Sequence, residues 1–138
     1  MISFEVPGAP ATQGSHRVRR IARGKRRGQA VVVADNPALY SFRAAVAALA
    51  QAARRGAGIA EPLAGPARLT VCFRLARPKR SPRALPCVRP DLDKLVRAVL
   101  DALSGVLYRD DGQVVELIAS KSYAAAPGTR ISLEPVRA

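Results

Sequence analysis

The stretch Arg89-Pro90-Asp91-Leu92-Asp93-Lys94-Leu95-Val96-Arg97-Ala98-Val99-Leu100-Asp101-Ala102-Leu103 decides the fold. Leu92, Leu95, Val96, Val99 and Leu103 fall on one stripe at helical spacing, which predicts an amphipathic helix from about Asp91 to Leu103. Upstream, residues 77–90 carry Pro78, Pro82, Pro86 and Pro90, which fix φ and withhold amides, so this segment reads as a loop. Before the loop, Leu69, Val71, Phe73 and Leu75 alternate with Thr70, Cys72 and Arg74, the period of a half-buried strand. Downstream, Ser104-Gly105 marks a turn, followed by strands around Gln113 to Tyr123 and Thr129 to Leu133.

The rest of the chain fits around this core. Ile2, Phe4 and Val6 alternate with polar residues until Pro7-Gly8 stops a first strand. Residues 11–28 read as a polar, basic connection, and Ala30 to Ala34 as a short β-branched strand. Asn36-Pro37 suits an N-cap and first helical position; Leu39, Phe42, Val46, Leu49 and Ala53 recur at helical spacing, and Gly56 ends that helix. Phe42 and Tyr40 read as packing residues of this helix. Residues 57–66 form a Gly/Pro linker. The order is β-β-α-β-α-β-β: an α+β fold, one mixed sheet covered by two helices, in a single domain spanning residues 1–138.

Charge bounds the function. With 23 Lys and Arg against 10 Asp and Glu, the chain carries +13 and a pI near 11.3. Such self-repulsion ordinarily serves a polyanionic partner, nucleic acid first and an anionic membrane surface second. The bland alternative is compositional, an Ala/Arg enrichment whose charge is simply solvated. Cys72 and Cys87 lack the spacing of a zinc or redox pair, and the chain has one histidine, so a Cys/His metal site is not expected. There is no basic-then-apolar leader at Met1 to Pro10 and no stretch of about 20 apolar residues. A soluble cytoplasmic protein is expected, with no membrane partner and no small-molecule cofactor.

Six of the ten acidic residues fall between Asp91 and Glu116: Asp91, Asp93, Asp101, Asp110, Asp111 and Glu116. Taken singly, each pair has an ordinary explanation. Asp91 and Asp93 suit a helix start by capping and by the macrodipole. Asp110-Asp111-Gly112 suits a tight turn. Together, in so basic a chain, they suggest a carboxylate cluster that needs a compensating cation. Three or four carboxylate oxygens prefer a hard ion, Mg²⁺ or its substitute Mn²⁺, over Zn²⁺. Convergence requires the chain after the helix to carry Asp110-Asp111 back toward the helix start. An EF-hand is excluded by Leu95, Val96 and Ala102 at its fifth, sixth and twelfth positions, and a P-loop is absent. Asp93, Arg97 and Asp101 stand four apart, so Arg97 either pairs along the helix surface or, like Lys94, faces a transition-state phosphate.

These residues resemble the RusA-type Holliday-junction resolvases. The resemblance is strongest over Arg89 to Leu103 and continues through Gly105, Tyr108 to Leu117 and Lys121, with a weaker echo from Val6 to Arg17. It implies a homodimeric, Mg²⁺-dependent crossover junction endodeoxyribonuclease that resolves four-way DNA junctions by paired nicks. Carried over by position, it implies Asp91, Asp93 and Asp111 as catalytic carboxylates and metal ligands, with Asp110 beside them. The family usually has Asn at Lys94 and Lys at Arg97. Arg and Lys are not interchangeable at a precise site, so three outcomes are open: Arg97 takes the lysine's role, Lys94 reaches into it from one turn earlier, or activity is reduced or altered.

Two functions follow. In the first, the acidic centre cuts branched DNA while Arg17, Arg19, Arg20, Arg23, Lys25, Arg26 and Arg27, with Lys79, Arg80, Arg83, Arg89 and Lys121, track phosphates on the junction arms. In the second, the protein is a non-catalytic basic DNA-binding module whose acidic residues are caps and turns.

Overall fold

The computed structural model describes residues 1–14, 16–20, 24, 28, 30–34 and 38–137. In chain order the elements are β1 (Ile2–Pro7), β2 (His16–Arg20), β3 (Ala30–Ala34), α1 (Leu39–Gly56), β4 (Ala67–Ala76), α2 (Leu92–Leu103), a 3-10 turn (Asp111–Gln113), β5 (Val114–Ala124) and β6 (Gly128–Pro135). The α+β class and the two helices agree with the sequence. Asn36 and Pro37, expected to start α1, lie outside the described residues; Ala38 directly precedes the helix.

Two differences concern the strands. The basic connection contains a strand, β2, which pairs antiparallel with β3 from His16↔Ala34 to Arg20↔Ala30. Arg17-Val18-Arg19 gives this strand no apolar alternation to betray it. The facing strand is rich in β-branched residues, and the ribbon is defined by its backbone pairing. The ribbon is also a sheet of its own. The main sheet has four strands in the order β1-β6-β4-β5, antiparallel except for the β4–β5 pair.

Alternation decides which face is covered. On β4, Leu69, Val71 and Phe73 are buried, level with Leu133, Ile131 and Thr129 of β6. This face packs against Phe42, Val46 and Ala50 of α1 and Leu95, Val99 and Leu103 of α2 in one core. Burying a Leu, Val or Phe side chain contributes about 1.5–3 kcal/mol each, which fixes both helices to the sheet. Phe42 is a core residue as expected, whereas Tyr40 is 62% exposed because it points off the α1 stripe.

The opposite face is polar and held by ion pairs. Arg68 bonds both Glu116 and Glu134, and Arg74 Nη2 meets Glu5 Oε2 at 2.6 Å. The Arg74 hydrogen bond holds the Glu5 carboxyl below its usual range. Among the described residues, no helix is long and apolar enough to cross a membrane.

Candidate functional site

The chain direction between β4 and β5 sets the site. Because β4 and β5 are parallel, α2 must run back along them, with its start near the end of β4 and its end near the start of β5. Contacts at both ends agree. Lys121, late in β5, donates from Nζ to the carbonyls of Val88 at 2.7 Å and Pro90 at 2.9 Å, just before α2. Gln113, ahead of β5, donates to Leu63 at 2.8 Å and Gly65 at 2.9 Å, just before β4.

At the start of α2, Asp91 occupies the N-cap position with φ −73° and ψ 134°, yet its side chain makes no capping hydrogen bond. Its exposed carboxylate instead faces Lys94 Nζ at 3.6 Å. Asp93, Lys94 and Arg97 are exposed in the same two turns, and among the described residues no ion pair joins Asp93, Arg97 and Asp101. The simple explanations for this pair, capping and surface pairing along Asp93-Arg97-Asp101, are therefore not realised. Lys79, Arg80, Arg83 and Arg89 are exposed in the preceding loop. Gln13 N donates to the Lys94 carbonyl at 3.0 Å, which roots the chain leading into β2 beside this helix start. Acid and base thus share one end of the molecule.

At the other end of α2 the second acidic pair divides its roles. The Asp110 carboxylate accepts from Gly112 N at 3.0 Å, while the Gln113 side chain accepts from the amides of Arg109 and Asp110 at 2.8 and 2.9 Å. This capping box explains Asp110 as a structural residue. Asp111, first in the turn, is exposed, and among the described residues its side chain has no hydrogen-bond or ion-pair partner. Tyr108 is fully buried nearby and donates from its hydroxyl to the Leu100 carbonyl at 2.8 Å. Burial first, then the charges of Asp111, Asp101 and Asp110, raise its phenol well above the ordinary value.

The expected convergence of Asp91 and Asp93 with Asp110 and Asp111 is corrected here. α2 spans about 18 Å at 1.5 Å per residue, and the two pairs lie at its opposite ends. Among the described residues no group of three or more His, Cys, Asp or Glu side chains is arranged to hold a metal ion. β5 does run antiparallel to α2, but it starts at the helix's far end, so Asp110-Asp111 never travels back. Glu116 also leaves the cluster, because the pleat turns it to the polar face toward Arg68.

Of the expected phosphate-tracking residues, Arg17, Arg19 and Arg20 lie on β2, and Arg23, Lys25, Arg26 and Arg27 lie outside the described residues. Lys121 has a role that its charge alone did not announce: two of its donors tie β5 to the segment before Asp91. Gln113 was also missed, although Asp110 followed by Gln three residues on is the spacing of a capping box.

The sequence matches the family described as Endodeoxyribonuclease RusA over residues 7–134, a span that includes both acidic pairs. It is also similar to the uncharacterised protein YqaN of Bacillus subtilis (strain 168). The two are 30% identical over 145 residues, covering 99% of this chain and 98% of the relative.

Proposed function

The chain belongs to the RusA endodeoxyribonuclease family, and from that premise we propose that it is a structure-selective nuclease resolving four-way DNA junctions by paired, Mg²⁺-dependent phosphodiester hydrolysis. In this reading residues 1–138 act as one RusA-like domain, two copies form a homodimer, and the protein works in the cytoplasm. A four-way junction has two symmetric strands to cut, and a two-fold dimer supplies two sites for them. The observation that carries the reading is the family match across both acidic pairs.

Asp91, Asp93 and Asp111 are the proposed catalytic carboxylates. Asp91 supports this because it stands at a cap position without capping. Asp110 is set aside as the residue that shapes the turn. The carboxylate donors suit a hard divalent ion by chemistry. By position they do not fit one within a single chain, because the helix separates them. Lys94 and Arg97, exposed beside Asp93, supply positive charge for the phosphodiester under attack. The exposed cations of the 77–90 loop, together with the arginines of the β2–β3 ribbon rooted at Gln13, hold the arms through phosphate contacts.

The test is a synthetic four-way junction incubated with and without Mg²⁺, comparing the wild type with Asp93→Asn. Nicking by the wild type alone, with binding kept or tightened in the variant, is the expected result. Binding without nicking under any divalent ion would return the protein to the non-catalytic module.

A further inference from the structure

The polar face of the main sheet balances its charges, although the chain as a whole carries +13. Its strand positions set Arg68, Arg74 and Arg130 against Glu5, Glu116 and Glu134, and the sequence holds only one other glutamate, Glu61. Arg68 stands in register between Glu116 and Glu134 and bonds both, at 2.9 Å to Glu134. Glu5 takes Arg74 through both carboxylate oxygens, at 3.1 and 2.6 Å, and meets Arg130 at 3.5 Å. The Arg74 pair has to cross a strand, because β6 lies between β4 and β1 and Arg74 is in register with Gly128. A Cβ at Gly128 would collide with the Arg74 guanidinium, so the bare glycine is what lets this side chain reach Glu5. Glycine in a strand often marks such a close approach. Exposed ion pairs add little stability, so stability alone does not account for a face on which every arginine is matched.

Resting on the nuclease reading above, we propose that Glu5, Glu116 and Glu134 are selectivity residues, which mask Arg68, Arg74 and Arg130 and so keep duplex DNA off the open sheet face. A guanidinium pairs with phosphate as it does with carboxylate, so three bare arginines spread over this face would form a phosphate-binding surface. Such binding takes no account of sequence and would hold any duplex. DNA held there would lie opposite the face that packs both helices, away from the exposed Asp91, Asp93, Lys94 and Arg97. It would occupy the protein without reaching the carboxylates. Masking leaves the exposed cations of the 77–90 loop and of the α2 start as the attractive surface, and DNA is steered to that end.

The full-length protein tests this by fluorescence anisotropy with a linear duplex and a four-way junction, over about 50–200 mM salt. Glu5→Gln/Glu116→Gln/Glu134→Gln unmasks the three arginines without adding a cation. Its duplex affinity is expected to rise about tenfold or more, and its logarithmic salt slope to steepen by about 0.9 for each arginine that takes a phosphate. Junction affinity should rise less, so the preference for the junction falls. Adding Arg68→Gln, Arg74→Gln and Arg130→Gln to that variant should return duplex binding to the wild-type level. Glu61→Gln, in the 57–66 linker, changes net charge by the same single unit as Glu5→Gln and should raise duplex affinity far less. If the triple variant does not fold, Glu5→Gln alone makes the comparison, since it frees both Arg74 and Arg130. Unchanged duplex affinity in the glutamate variants overturns the proposal. So does an equal gain from Glu61→Gln, a gain that survives loss of the arginines, or one that is the same for junction and duplex. A wild type that never nicks a junction removes the nuclease reading, while the duplex comparison still decides the masking.

Discussion

Lys121 Nζ donates to the Pro90 carbonyl at 2.9 Å, joining β5 to the residue immediately before Asp91. A second bond to the Val88 carbonyl at 2.7 Å completes the clasp. The helix start is therefore anchored to the sheet by one ammonium group, half-buried, whose methylene stem crosses between them.

Replacing that ammonium with an isosteric apolar chain should release the segment. Lys121→Met is expected to cost about 1–3 kcal/mol in denaturant unfolding, as for other charge-assisted hydrogen bonds. Junction cutting should fall more than junction binding, because Asp91 loses its fixed position while the phosphate-binding cations stay. Equal losses in both would show that Lys121 serves as a phosphate contact.

The acidic turn should separate stability from activity. Asp110→Ala removes the acceptor for Gly112 N and is expected to cost about 1 kcal/mol, as for other caps. Asp111→Asn alters an exposed side chain and should change stability by less than about 0.5 kcal/mol. It should nonetheless abolish nicking. Thermal unfolding and a nicking assay on the two variants check the split, and the reverse pattern would exchange the roles assigned to the pair.

Tyr108 makes the fold sensitive to alkali. Its folded pKa is raised, by burial first and by Asp111 next, so the folded state holds the neutral phenol. The corresponding stability is fully present below the unfolded pKa, about 10, and is lost as pH climbs from there toward the folded value. Tyr108→Phe should lose about 1 kcal/mol at neutral pH with the Leu100 hydrogen bond. It should also flatten the decline of the urea midpoint above about pH 10. An unchanged alkaline slope would assign the decline to another group.

Salt should report the phosphate contacts. Junction affinity is expected to fall steeply between about 50 and 200 mM salt, because each neutralised phosphate releases counterions. Substituting Arg17, Arg19 and Arg20 with Gln should reduce the logarithmic slope by about 0.9 for every phosphate that is no longer neutralised. A flat response in the wild type would remove the tracking role from the ribbon.

The sequence revealed those elements whose burial follows a simple period. The α2 stripe and the alternation of Leu69, Val71 and Phe73 were legible because each packs one face against the same core. β2 was not, since His16 to Arg20 holds one apolar residue, Val18, and so shows no period. The identity of the acidic residues was legible, but their arrangement was not. Whether Asp111 meets Asp91 depends on the direction of β5 relative to β4, and residue spacing does not encode that direction. Glu116 illustrates the same limit at shorter range: five residues past Asp111, it points to Arg68 on the other face.

The position of β6 sets an order of assembly. It follows every other element along the chain yet lies inside the sheet, between β1 and β4. Among the described residues β1 has no other neighbouring strand, and its first pair is Ile2↔Leu133. The parallel β4-β5 pair joins Ala67 to Val114 across the 77–90 loop and α2, and β6 pairs on the other side of β4. β1, though it comes first in the chain, gains its sheet partner only when β6 is in place, so its cover over α1 depends on the last strand of the chain.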